Sequence, residues 1–525
     1  MRKNNLFKRS KIGILGFTAL ISSTLLLNEV SAATLSNEQL YEVRIISGSH
    51  EGDLVNGALS KARFNQPSHF IKLNNGDIIV SDTNNHVLRQ ISNGEVSVFA
   101  GRPLLAEEQN YYAGALSDGV KSSARFNKPG GLATDEAGNI YVADTANHAI
   151  RKVTPEGLVT TLAGNGLLGD LDGKSSTAQF NAPSDVAVDT KGNVYVADTL
   201  NHTIRKITPS GEVSTLTGKS TRLVEYVPGH VDTAGDFLDG NISDALFNEP
   251  IALTLDDKGN LYVTDRGNQR IRYINFESNQ VSTIVGSGVL AKDSLYVEGG
   301  YTDGNVATAQ LNSPENIAIL DDSTLLITDR MNHSIRAYKN GIVTTLTGSA
   351  EQYGSEDGLL KYATYNEPVD IIVQADKSIL VLEAGYSEIR KIALYSTHMK
   401  DTFTANTQVV VNNQLIDSKV EIQDGVSLFP LRVLGEALQL NVDYDSVKKQ
   451  VNVHGDEQQF IFTIGSSKAQ KLDAQLNSEF LLAKPAQLIN NQVYIPLRFV
   501  AEKFGYDVAW DEQLKNIVIR DYIFE

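Results

Sequence analysis

The sequence has no cysteine, one tryptophan, three methionines and only 13 prolines in 525 residues. The missing cysteine excludes disulfides, thiolate metal sites, a cysteine nucleophile and a lipidated N-terminal cysteine, so core packing alone must hold the fold. Positive charge is also short. Lys and Arg number 46 against 63 Asp and Glu, a formal net charge of −17. Such a surface repels phosphate backbones and argues against nucleic acid, whereas cations, or basic or neutral polymers, suit it. Past the N-terminal leader, no apolar run is long enough to span a bilayer. What is abundant is Gly (41), Tyr (20) and Phe (18), a mix that favours strands and turns over helix bundles. The length calls for at least two domains.

Residues 1–32 read as a signal peptide. Arg2, Lys3, Lys8, Arg9 and Lys11 precede an apolar run from Ile12 to Leu27, and Val30-Ser31-Ala32 offers the small-residue exit a signal peptidase cuts. The heavily basic leader resembles those of Gram-positive bacteria, and a secreted or surface-associated protein is expected. An uncleaved anchor is the other reading of the same run.

The stretch YVADTANHAIRKVT, from Tyr141, concentrates groups that enzymes use, but it recurs. Copies start near Val80, Tyr195, Tyr262 and Leu326, and a decayed sixth starts at Leu380. Their acids are Asp82, Asp144, Asp198, Asp265, Asp329 and Glu383. Eighteen residues before each acid stands an aromatic or Leu (Phe64, Phe126, Phe180, Phe247, Leu311, Tyr365). Three residues after that comes Pro, two before it Ala, and eight before it Asp or Asn followed by Gly. Such fixed periodicity has to be read before any single motif. Each copy holds four short strand patterns bounded by turn residues, as in GGLATD, NIYVADT, AIRKVT and LVTTLAG. Four antiparallel strands repeated six times predict an all-β six-bladed propeller within 33–394. The sixth copy lacks its fourth strand. YEVRIISGS from Tyr41 matches that strand, so the N-terminal strand is expected to close the last blade.

These residues resemble the NHL-repeat family, whose Asn-His stands here as Asn85-His86, Asn147-His148, Asn201-His202 and Asn332-His333. The resemblance implies a propeller that serves as a binding platform, with enzymatic relatives among similar propellers. Because a catalytic constellation occurs once while this one recurs, a structural role is expected for Asp82, His86, Arg89, Asp144, His148, Arg151, Asp198, His202, Arg205, Asp265, Arg272, Asp329, His333 and Arg336, with His and Arg placed on the third strand.

A binding site is expected on the blade-to-blade links, since loops on a rigid scaffold carry function. The three longest links carry Tyr111, Tyr112, Tyr226, Tyr296 and Tyr301, whose rings and hydroxyls suit peptides or sugars. A second candidate lies two residues past each repeat Pro. His69, Asp185, Asn316 and Asp370 stand there and could converge on the channel mouth as a Ca²⁺ or transition-metal site, the place where related lactonases and lyases hold a metal. GNGLLG from Gly164 has no helix after it and is not read as a dinucleotide site.

After a polar linker, 395–406, residues 407–525 hold two similar halves, SLFPLRVLGEALQLNVDYD from Ser427 and VYIPLRFVAEKFGYDVAWD from Val493. Each predicts strand–helix–strand–strand, a small α+β domain, with Leu431, Leu434 and Leu438, and Leu497, Val500 and Phe504, on the apolar helix faces. The phrasing resembles the copper amine oxidase N-terminal-like, or stalk, domain. With His454 its one histidine, copper is not expected. The reading overall is an exported, noncatalytic binding or scaffold protein. Its partner would be an extracellular protein, peptide or cell-wall polymer, with no cofactor and with the stalk domain as spacer or attachment. The alternatives are a metal-dependent propeller hydrolase, lactonase or lyase, and a structural surface component.

Overall fold

The computed structural model describes residues 40–106, 111–321, 323–395, 407–455, 458–472, 478–511 and 516–522. The proposed signal peptide and nearly all of the linker lie outside them. Six antiparallel sheets, one per repeat, form the propeller. In the second blade the strands run Pro129–Thr134 at the axis, then Ile140–Asp144, Ala149–Val153 and Leu158–Ala163. The register Val142↔Arg151 and Arg151↔Thr161 places the repeat arginine in the middle of the sheet. Each blade has five strands, one more than the sequence patterns predict. The extra one is a two-residue outer strand at the Asp-Gly position, Gly119–Val120 in the second blade. Two residues are too short to show a β pattern. Asp118 fixes this edge by accepting the amide of Thr161 at 3.1 Å and an N–H of Arg151 at 2.7 Å.

The innermost strands abut in sequence, and the ring shuts where the last meets the first: Phe70 N donates to Asp370 Oδ2 at 2.8 Å. The N-terminal strand Tyr41–Gly48 fills the fourth place of the sixth blade, with Val43 opposite Ile392 and Ile45 opposite Arg390. Ile45 N donates to Asp357 at 2.8 Å, the same bond that Thr161 makes to Asp118. Apolar layers lie between blades. Phe126, fully buried, packs among Ile79, Leu88 and Ala100 of the first blade and Val142 of its own. That placement explains the aromatic at a fixed offset in nearly every copy.

In the C-terminal domain the equivalent strands Val426–Pro430 and Gln492–Pro496 pair antiparallel, with Phe429 opposite Ile495. Each leads into a seven-residue helix, Leu431–Ala437 or Leu497–Lys503. Leu431, Leu434, Leu438, Leu497 and Val500 are buried in one core, and Phe504 packs on its edge. The end of the last strand meets the propeller at its closing blade: Leu359 N donates to Tyr522 O at 3.1 Å, and the rings of Tyr362 and Tyr522 lie 4.3 Å apart. No helix among the described residues is long and apolar enough to cross a membrane.

Candidate functional site

The repeat polar residues form a network inside each blade. Asp144 Oδ1 accepts the amide of Asn127 at 2.7 Å, while Oδ2 accepts Asn147 Nδ2 at 2.8 Å and Arg151 Nη1 at 2.7 Å. Arg151 goes on to the carbonyls of Arg125 and Ser117, and its guanidinium lies over the Phe126 ring at 5.2 Å. Equivalent pairs join Asp82 to Arg89, Asp198 to Arg205, Asp265 to Arg272, Asp329 to Arg336 and Glu383 to Arg390. Burial pushes the carboxyls of Asp82, Asp144, Asp198 and Asp329 up to about 6, against the pull of the paired arginine.

His86, His148, His202 and His333 occupy a left-handed turn residue just before the third strand, not the strand itself. From there Nδ1 accepts an amide of the next blade: Lys128 at 2.9 Å, Ala182 at 3.0 Å, Glu249 at 3.0 Å and Glu367 at 3.2 Å. The nearby backbone of Tyr112 and of Thr233 in the long links favours the charged form of the His86 and His202 rings. Burial lowers all four histidine pKa values, as a ring that must accept a hydrogen bond requires. In the fourth copy Gln269 takes the histidine's place, accepting Ser313 N at 2.6 Å, and also donates to Val297 O at 3.2 Å.

His69, Asp185, Asn316 and Asp370 are brought together at the axis. His69 Nε2 lies 3.8 Å from Asp185, and Nδ1 lies 3.5 Å from Asp370. Asn316 Nδ2 donates to Asp370 Oδ1 at 2.7 Å. The carboxyl groups are already engaged by backbone. Asp370 takes the amides of Phe70 and Ile371, and Asp185 those of Val186 and Leu253. In the second blade the equivalent residue is Gly131, where a Cβ would fall 1.8 Å from Asp185 Oδ1, so glycine makes room for the carboxyl. Burial raises Asp185 to about 8 and Asp370 well above the usual carboxyl range, and lowers His69 to about 4. A cavity of about 230 Å³ continues down the channel, walled by Leu132, Val186, Leu253 and Ile371. Among the described residues no three His, Asp or Glu side chains are grouped to hold a metal ion.

The link tyrosines separate. Tyr111 and Tyr226 belong to the hairpins Leu104–Ala106/Tyr111–Ala113 and Leu223–Val227/His230–Thr233, and their side chains lie outside the described part. Tyr112 is half-buried. Tyr296 donates its hydroxyl to Glu249 at 2.6 Å, and burial together with that carboxylate pushes it up to about 12. Tyr301 stacks under the guanidinium of Arg336 at 4.9 Å and bonds Thr345.

A further cluster at the channel mouth escaped the sequence reading. The residue after the strand-two acid is Thr83, Thr145 and Thr199 in three blades but Arg266 and Arg330 in the next two. Arg266 donates to Glu249 at 2.8 Å and Arg330 to Glu367 at 2.7 Å. Glu315 stands between them, 3.7 Å from Arg266 Nη1 and 3.6 Å from Arg330 Nη1. The signal was the break in the repeat.

The NHL repeat family model matches residues 126–153, 180–207 and 247–272, and the copper amine oxidase N-terminal domain model matches 410–519. The chain is an NHL-repeat propeller protein with a copper amine oxidase N-terminal domain. This NHL chain is 29% identical over 293 residues to protein SUPPRESSOR OF QUENCHING 1, chloroplastic, of Arabidopsis thaliana, covering 53% of this chain and 26% of that one. It is 27% identical over 327 residues to NHL repeat-containing protein 2 of Homo sapiens, covering 58% and 43%. It spans less than half the length of these curated relatives. An auxiliary nutrient binding protein from Bacteroides ovatus aligns at a TM-score of 0.49 and 16% identity, over 68% of this chain and 78% of that one. The C-terminal domain does not fit a copper centre. His454 is its one histidine, its carboxylate neighbour Asp443 lies 3.3 Å away, and no cysteine exists to complete a donor set.

Proposed function

We propose that this NHL propeller is an exported, noncatalytic binding protein. The face carrying the links receives an extracellular ligand, and the C-terminal domain acts as spacer or attachment. One observation carries the reading. The large apolar side chains that the propeller leaves exposed fall mostly on the links and turns of one face, among them Leu167, Leu168, Leu223, Val231, Val289 and Tyr353. Two of these links have grown into hairpins that closure of the ring does not use. Exposed apolar surface costs solubility and marks contact sites when it clusters. The His69 cluster has its carboxyls committed to backbone amides, which favours a structural plug over a catalytic centre.

The test is binding of the purified chain to extracellular polymers, both cell-wall material and secreted protein. Replacing the Gly218–Gly240 link by the short Gly164–Gly173 link should abolish saturable binding while leaving the circular dichroism spectrum unchanged. Undiminished binding would move the site elsewhere.

A further inference from the structure

We propose that the mouth above Glu315 is a subsite for a neutral, polyhydroxylated ligand, a glycan; this rests on the reading of the link face as a binding surface. The hydrogen bonds left open at the mouth decide the ligand class. Arg266 and Arg330 each engage a flanking glutamate, Glu249 or Glu367, through Nη2. Their Nη1 groups turn instead to Glu315 at 3.7 and 3.6 Å, too far for a hydrogen bond. Glu315 Oε2 is buried without a hydrogen-bond partner, while its side chain as a whole keeps 14% of its surface exposed. Both arginine side chains keep about a quarter of their surface open, 25% and 29%. The mouth therefore sets charged donors and a charged acceptor side by side, 3.6–3.7 Å apart and not bonded to each other.

Only one kind of ligand group matches both. An ammonium could approach Glu315 but cannot accept from Arg266 or Arg330, and two guanidiniums repel it. A carboxylate or phosphate could accept from the arginines, but it meets the three carboxylates of Glu249, Glu315 and Glu367 and has no proton for Glu315. A hydroxyl accepts from guanidinium and donates to carboxylate at once, and bonds to charged partners are the stronger class. The fixed partners also avoid an ordering cost: Glu249 is held by Arg266 and by the Tyr296 hydroxyl, and Glu367 by Arg330. The half-exposed Tyr296 ring beside Glu249 adds a flat apolar face of the kind that packs on sugar C–H groups. On the other half of the mouth, Thr83 and Thr199 are already bonded to Ser68, Ser184 and the carbonyls of Pro129 and Pro250. The open polar groups thus gather at blades four to six.

The experiment is isothermal titration of the full chain with three oligosaccharide probes: chitotetraose (neutral, N-acetylated), tetragalacturonate (anionic) and chitosan tetramer (cationic). Neutral chitotetraose should bind, with little dependence on salt. Glu315→Gln and Arg330→Lys should each weaken it by about tenfold, the worth of one charge-assisted hydrogen bond. Thermal unfolding of Glu315→Gln should stay within a degree or two, since Glu315 lies 3.6–3.7 Å from both arginines with no close ion pair to lose, and Arg330→Lys keeps a cation beside Glu367. Binding of a charged probe in preference to the neutral one, or of no probe, overturns the inference. If Glu315→Gln binds extracellular polymers like the parent chain, the glycan subsite falls while the link-face reading stands. If the link replacement also changes nothing, both fall.

Discussion

At the scale of single residues, the letters that look most catalytic tie strand to strand and blade to blade. The repeat histidine is an acceptor with a left-handed backbone, and Gln269 shows what the place needs: an oxygen or nitrogen that accepts the next blade's amide. His148→Ala leaves Ala182 N without its partner and should cost ~1–3 kcal/mol in denaturant unfolding, whereas His148→Gln should recover most of it. The channel residues predict a pH dependence. Asp185 holds its proton more tightly when folded, with its pKa raised from 3.8 to about 8. Its contribution is therefore whole at low pH and is lost as pH rises through about 8, at up to about 1.4 kcal/mol per pH unit; Asp370 acts in the same direction. His69 has the opposite sign, holding its proton less tightly when folded, so stability is lost as pH falls from 6.5 toward 4. Melting temperature measured across pH 6.5 to 9 should fall in the parent chain and be flatter in Asp185→Asn. An equal slope in both would remove Asp185 from the account.

At the scale of elements, the closing strand is the vulnerable one, because its neighbours in the sheet come from the far end of the chain. Val43 is fully buried against Ile392 and the apolar layer around Tyr365. Val43→Asp puts an unpaired charge there and should cost ~3–5 kcal/mol. The sixth blade should then open, seen as rapid amide exchange in Glu388–Leu394 before the other blades exchange. Uniform loss of protection would mean the ring has no special seam. The strand was legible in the sequence because YEVRIISGS repeats the pattern of a fourth strand that the sixth copy lacks. The two-residue outer strands were not, because their cause is Asp118 and its equivalents bonding across the sheet, not local propensity.

At the scale of the molecule, the C-terminal domain meets the blade that closes the ring. Tyr522 stacks on Tyr362, and its carbonyl takes the amide of Leu359. Tyr522→Ala removes the ring contact and should speed hydrogen exchange at Leu359 by about tenfold while leaving the inner strands of the first three blades unchanged. No change at Leu359 would mean that the two domains hold their places without this contact. Any binding role of the link face would then be independent of how the C-terminal domain is mounted.

The repeat spacing alone determined the six blades, the shut ring and the two-halved terminal domain, because each rests on periodic burial that one copy displays and the next repeats. Tertiary structure decided what periodicity cannot carry. It showed that Tyr301 packs under Arg336 within its own blade, that His69 faces two carboxyls from blades far apart in sequence, and that Arg266, Glu315 and Arg330 meet at the mouth. Those encounters depend on the angle at which blades turn about the axis, which no local stretch of chain encodes.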